Sequence, residues 1–258
     1  MNPDAPGWFD QSAYRCRFAW GHTGARDAAR RGDLLVIVDV LSFSTACALA
    51  VARGAIVYPC RPGEEASVAE RLGGSAEVAV PRRDVPAKGR FSLSPVTVAT
   101  VPPGTSIVVG SPNGAACARF GADAPAVLVG ALVNARACAD AVAGLLKAAN
   151  TSAVTVIACG ERAPEPESGE GLRFALEDLL GAGAVLAALP PGLARSPEAR
   201  AAEAAFRGAE GDLPGALRGC GSGIELIERG YAGDVDAAAR LDAVTTAGVL
   251  REGAFRPL

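Results

Sequence analysis

Asp39 closes an otherwise apolar run, Leu34-Leu35-Val36-Ile37-Val38. A carboxylate in that place is costly unless it is paired, metal-bound or at the surface. Asp39 is therefore a candidate hard-metal ligand or catalytic base, with an ordinary surface strand end as the alternative. Ser42-Phe43-Ser44-Thr45 follows it, and Ser111-Pro112-Asn113-Gly114, Asn134 and Glu161 stand in comparable places after other apolar runs. Ser44, Thr45, Asn113 with Gly114, and Asn134 are residue types that open helices. Helix N-termini expose unpaired N–H groups and attract phosphate or sulfonate, although any N-cap wants the same residues. Glu177-Asp178 opens a further helical stretch. Placing Leu176, Leu179, Leu180 and Gly183 on one face leaves both carboxylates off the core. There they serve either as oxygen ligands for Mg²⁺ or as acids that offset the helix dipole. Residues 161–173 form a charged segment punctuated by Pro and Gly, placed to act as a lid. Glu161 and Arg173 are its members nearest the ordered elements.

Other chemistries are excluded by what the chain lacks. His22 is its one histidine. A Ser-His-Asp triad, a two-histidine zinc site or a phosphohistidine relay would all have to run through that residue. Seven cysteines are spread with the closest pair, Cys47 and Cys60, thirteen positions apart, so there is no C-x-x-C motif. They read as buried free thiols. Their odd number, with no secretory signal, predicts a reducing, cytoplasmic location. A net charge of −3 carries no signature of nucleic-acid or polybasic membrane-surface binding. No apolar stretch reaches the roughly 20 residues of a membrane span.

The positioning elements follow from apolar periodicity. Residues 34–40 predict a strand covered on both faces. Apolar positions 43, 46, 47, 50 and 51 predict a helix closed by Gly54. The alternation continues with strands at 55–60, 106–110, 126–130 and 153–159 and helices at 64–72, 114–120, 134–149 and 175–189. It predicts a layered α/β/α fold with a largely parallel sheet, one α/β domain over residues 1–258. The first thirty residues show no strong period. Residues 81–105, with Val96-Thr97-Val98-Ala99-Thr100-Val101, predict a β-hairpin excursion. Residues 197–240 predict two or three surface helices. Ligands in such folds bind outside the carboxyl ends of the strands, where the candidate residues lie.

Five short blocks in order resemble the 2-phosphosulfolactate phosphatase family over about residues 34–250. They are Asp39-Val40-Leu41-Ser42-Phe43-Ser44-Thr45, Ser92-Leu93-Ser94-Pro95, Ser111-Pro112-Asn113-Gly114-Ala115, Asn134-Ala135, and Cys159-Gly160 with Glu177-Asp178 and Ala182-Gly183. Two departures stand out. Ser42 occupies a position where the family carries Arg, and Pro81-Arg82 stands for the family's Gly-Glu.

The resemblance implies a Mg²⁺-dependent phosphatase of coenzyme M biosynthesis, acting on a small anionic phosphorylated acid. Asp39, Glu177 and Asp178 would hold the ion. Ser44, Thr45, Asn113, Gly114 and Asn134 would hold anionic groups, with Glu161 as base and Arg173 as contact to a second anion. A homodimer is a candidate assembly, and neither nucleic acid nor a membrane is an expected partner. The departures leave an alternative, an anion-binding homologue without turnover. A nucleotide-binding enzyme is weaker, because no G-x-G-x-x-G follows the first strand.

Overall fold

The computed structural model describes residue 7 and residues 9–148, 153–163 and 171–258. The chain begins with β1 (Cys16–Trp20), α1 (Gly21–Arg30), β2 (Leu34–Val38), α2 (Phe43–Ala52), β3 (Ile56–Cys60), α3 (Glu65–Arg71) and β4 (Glu77–Val78). There follow α4 (Pro95–Val98), β5 (Ser106–Gly110), α5 (Gly114–Phe120), β6 (Val127–Gly130), α6 (Ala135–Ala148) and β7 (Val154–Ala158). A short hairpin, β8 (Glu161–Ala163) and β9 (Gly171–Arg173), precedes α7 (Leu176–Ala188). The rest is α8 (Pro197–Ala209), α9 (Leu213–Gly219), α10 (Gly221–Glu228), α11 (Ala232–Ala238), β10 (Gly248–Arg251) and β11 (Ala254–Pro257).

The large sheet has the order β1-β7-β2-β6-β10-β11-β3-β5-β4. β1, β7, β2 and β6 form one parallel block, and β3, β5 and β4 another. The C-terminal β10–β11 hairpin joins them, antiparallel to β6 on one side and to β3 on the other. All five residues of β2 are buried. Because strand side chains alternate with period two, Leu34, Val36 and Val38 enter the core beneath α6, α7 and α8. Leu35 and Ile37 enter the opposite core beneath α1, α2 and α5. The α/β reading of the sequence is thus correct, with helices on both faces.

Two local expectations are corrected. No hairpin forms over 81–105. Its Val96–Val101 stretch starts as α4, because the Ser94 hydroxyl accepts from the Thr97 N–H and Pro95 takes the first helical position. The excursion hairpin is β8–β9 instead. Residues 197–240 carry four helices rather than two or three; they lie on the surface as expected, and Phe206, Leu213, Leu217 and Val235 are the side chains they send into the core. The first thirty residues supply an edge strand and a helix; β1 depends for its identity on pairing with β7. Residues 164–170, the middle of the expected lid, lie outside the described residues. Among the described residues, no helix is long and apolar enough to cross a membrane.

Helices α7 and α8 touch through Gly183. A Cβ there would sit 2.1 Å from the Ala202 carbonyl oxygen of α8, so any side chain must push the two backbones apart. Gly183→Ala is expected to destabilise by about 1–3 kcal/mol, read as a lower urea midpoint; an unchanged midpoint would show that the helices do not pack this closely.

Candidate active site

Asp39 lies just past β2, and its carboxylate is 5% exposed. One oxygen accepts the Gly114 N–H at 2.8 Å and the Ser111 hydroxyl at 3.3 Å; the other accepts the Phe43 N–H at 3.3 Å. Its anion therefore sits at the first turns of both α2 and α5. Gly114 makes this approach possible, since a Cβ there would lie 2.3 Å from the Phe43 ring and 2.8 Å from the Asp39 Oδ2. The sequence reading assigned these helix starts to the anions of a ligand. The folded chain fills them with its own carboxylate.

Asp178 is held in the same way. Its two oxygens accept N–H groups from Val40 at 2.7 Å and Gly160 at 2.8 Å, which ties α7 to the ends of both β2 and β7. Gly160 has φ +66°, and a Cβ on it would press on Leu172 and the Arg173 carbonyl. Glu177 and Asp178 are buried, at 2% and 3% exposure, whereas Leu176 and Leu179 are only partly buried. The expected face of α7 thus holds at Leu180 and Gly183 but not at its start, where the acids rather than Leu176 and Leu179 are buried. The cause is that Leu180 to Leu186 are buried nearly all round, and the strand-end amides, invisible in periodicity, welcome acids at the helix start.

Glu161 completes the group from the first residue of β8. Asn113 does not cap α5; its Nδ2 donates to the Glu161 Oε2 at 3.2 Å. Burial first, and then the charge of Asp39, push Glu161 up to about 7. Burial likewise raises Asp39 against the pull of the Gly114 and Phe43 amides, and the charge of Glu177 adds to it. Asp178 is raised by burial and then by Asp39 and Glu177. Each carboxylate thus feels its neighbours, and the four form one acidic focus. Cys159 lies against it, and burial, Cys117 and these acids hold its thiol far above its ordinary value. It is therefore no thiolate nucleophile. All seven cysteines are free and buried.

Other candidates serve the chain itself. The Ser44 hydroxyl accepts the Asp39 N–H and donates to the Ile37 carbonyl, each at 2.9 Å. The Thr45 hydroxyl donates to the Val40 carbonyl at 2.8 Å. Asn134 is fully buried; its Oδ1 accepts the Ala131 N–H, and its Nδ2 donates to the Val129 carbonyl. These three side chains brace the β2–α2 turn and the end of β6, and Asn134 stands apart from the acids. Arg173 pairs with Glu161 across the β8–β9 hairpin, and its charge lowers that carboxyl slightly.

A cleft of about 250 Å³ reaches this region through Asn113, the partner of Glu161, and is lined also by His22, Thr23, Arg26, Cys159 and Arg162, with none of the four acids in its lining. The α1 residues of this wall escaped the sequence reading, because one turn of an amphipathic helix carries no motif. The two departures from the family pattern meet elsewhere. The Arg82 Nη2 donates to the Ser42 hydroxyl at 2.6 Å and its Nε to Asp234 at 2.7 Å, while Ser94 donates to the other oxygen of Asp234. The guanidinium that residue 42 does not carry is supplied beside it by residue 82.

The sequence profile described as 2-phosphosulpholactate phosphatase matches residues 23–253. The chain belongs to that family. It is also 31% identical over 238 residues to a probable 2-phosphosulfolactate phosphatase of Gloeobacter violaceus, with 86% of this chain and 92% of that protein covered. The matched span contains every acid of the focus. Family membership supports phosphatase chemistry at a site whose acids the fold has already gathered.

The raised carboxyls fix the sign of the pH dependence of stability. The folded protein holds protons more tightly than the unfolded chain, so the stabilisation is complete below the unfolded values and is lost as pH rises through the folded ones. For Glu161 that window runs from 4.5 to about 7. Asp10 and Glu64, which are lowered, titrate below it. Without divalent cations, the melting temperature is expected to fall between pH 5 and pH 7.5, and Glu161→Gln should flatten the fall. A rise over that interval would contradict the assigned shifts.

Proposed function

We propose that the protein is a Mg²⁺-dependent phosphatase that hydrolyses a small phosphorylated sulfo- or carboxy-acid such as 2-phosphosulfolactate. One observation carries this reading. In a chain of this family, Asp39, Glu177 and Asp178 are buried near the carboxyl ends of β2 and β7, with half-buried Glu161 beside them, and Asn113, which bonds Glu161, lines an open cleft. Carboxylate oxygens are the donors a hard cation takes, and mutual repulsion among the acids is relieved by a divalent charge. Among the described residues, no three His, Cys, Asp or Glu side chains form a ready-made cage. Mg²⁺ keeps several waters and binds through one or two carboxylates and the substrate's phosphoryl oxygens, so the acids would reach it in part through water.

Asp39, Glu177 and Asp178 are the residues that would hold the ion. When bound, it supplies neutralising charge at the phosphoryl oxygens and acidity to a water. The chain does the rest. Gly114, Phe43, Val40 and Gly160 N–H groups fix Asp39 and Asp178. Asn113 orients Glu161. Glu161 takes the proton from the attacking water as the ester oxygen departs, and a carboxyl poised near neutrality is suited to that transfer. The alternative of binding without turnover is motivated by Arg82, which stands where the family carries Glu and bonds Ser42 and Asp234.

Phosphate release from 2-phosphosulfolactate should require Mg²⁺ and stop with chelator. Asp178→Asn and Asp39→Asn should each lower kcat by about 10²-fold or more. Full activity in both variants, or in chelator, would reject these roles. Glu161→Gln should lower kcat by about 10²–10⁴-fold. It should also abolish the limb of the pH–rate profile that rises as Glu161 ionises near pH 7. A profile that keeps that limb in Glu161→Gln would assign the base elsewhere.

A further inference from the structure

Ser42 stands at the N-cap of α2, where a serine hydroxyl ordinarily accepts an N–H of its own helix. It makes no such bond. The side chain is buried, and its hydroxyl accepts from the Arg82 Nη2 at 2.6 Å instead. The backbone on either side of it is tied to Asp39. The Phe43 N–H reaches the Asp39 carboxylate at 3.3 Å, and the Ser44 N–H reaches the Asp39 carbonyl at 2.8 Å. Of the two amide bonds on that carboxylate, the one from Phe43 is longer than the 2.8 Å bond from Gly114. It is therefore the bond that depends most on where the Ser42 turn is held.

Arg82 is itself held from several sides. Its Nε donates to the Asp234 Oδ2 at 2.7 Å, and its Nη2 donates also to the Leu93 carbonyl at 3.2 Å. The Tyr231 ring lies against the guanidinium, 5.6 Å from its centroid. Asp234 is 3% exposed, and its other oxygen accepts from Ser94, the N-cap of α4. A buried ion pair of this kind is a weak contributor to stability. What it supplies is direction, because a guanidinium is a rigid planar fork. With Nε fixed on Asp234, Nη2 can point only one way, and that way lies Ser42.

We propose that Arg82 is a positioning residue for the reaction: clamped by Asp234 of α11, it pins the N-cap of α2 and so keeps the Phe43 amide on the Asp39 carboxylate. The proposal rests on the phosphatase reading for the importance of Asp39, but the geometry it asserts belongs to the protein alone. It makes α11, at the far end of the sequence, a support for the β2–α2 turn. Arg82 also lines a cavity of about 180 Å³ with Glu65, Ala79, Leu93 and Gly110. Direct contact with substrate from that side is the competing role, and it has a different kinetic signature.

Two measurements test the proposal. The first is amide hydrogen exchange by NMR in protein freed of divalent cations. In Ser42→Ala the protection of the Phe43 N–H should fall by about 3- to 10-fold, as loss of one hydrogen bond gives, while the amides of β2 keep theirs. Ser42→Thr, which retains the hydroxyl, should behave as the native protein. Arg82→Gln made together with Asp234→Asn leaves neither charge buried alone and should have the same selective effect; adding Ser42→Ala to it should lower protection no further. Unchanged Phe43 exchange in Ser42→Ala, or an equal loss throughout β2, overturns the proposal, and this single mild substitution decides it even if the Arg82 and Asp234 variant folds poorly. The second measurement is turnover of 2-phosphosulfolactate with Mg²⁺. Ser42→Ala and the Arg82 and Asp234 variant should each lower kcat by about 10-fold or more with KM unchanged, as misplacement of a catalytic group gives, and Ser42→Thr should not. An unchanged kcat overturns the proposal. A raised KM with kcat unchanged in the Arg82 and Asp234 variant overturns it too, and makes Arg82 a substrate contact. Native protein that releases no phosphate overturns only the phosphatase reading, and amide exchange then decides the positioning by itself.

Discussion

Burying like charges together is the constraint around which this molecule is arranged. Four carboxyl groups share one end of the sheet, and burial together with neighbouring acids raises the cost of ionising Asp39, Glu161 and Asp178. The fold meets that cost mainly with backbone N–H groups. Asp39 takes the amides of Phe43 and Gly114, and Asp178 takes those of Val40 and Gly160. Amides serve well because their dipoles are fixed before any ligand arrives and carry no counter-charge that would neutralise the site. The result is an acidic focus held by fixed dipoles rather than by counter-charges.

Several structural features follow from delivering those amides. Gly114 must be glycine for α5 to bring its N–H to Asp39, and Gly160 must be glycine for the strand end to turn with positive φ toward Asp178. Ser44 and Thr45 fasten the β2–α2 turn so that the Phe43 N–H points at Asp39. The same hydroxyls and glycines that look like ligand contacts in a linear motif are therefore the frame that holds the acids. The residues facing open space are others, on α1 and on β8.

The pairing of Ser42 with Arg82 shows why motif departures should be judged in space. Taken singly, one removes a cation and the other removes an acid. Folded, the two side chains are 2.6 Å apart, and Asp234 on α11 supplies the carboxylate that Arg82 needs. The charges near this corner are redistributed among neighbours rather than lost. Ser94, from another family-like block, bonds the same Asp234, so α11 is drawn into the arrangement without belonging to any recognised motif.

The strands β2, β5, β6 and β7 and the helices after them were legible in the sequence, because a short apolar run followed by apolar positions at helical spacing is a local signal with a local energetic meaning. The burial of the cysteines as free thiols was legible too, from their setting within apolar runs. Tertiary structure alone decided which residues at the start of α7 are buried, since periodicity counts apolar side chains and not the amides waiting at the ends of β2 and β7. It alone decided that Asn134, Ser44 and Thr45 brace the backbone, because a hydroxyl or carboxamide reads the same whether its partner is a ligand or a carbonyl. It alone joined Arg26 and Arg162 into one wall, 136 positions apart in the chain. Charges that meet only through folding leave no spacing to read.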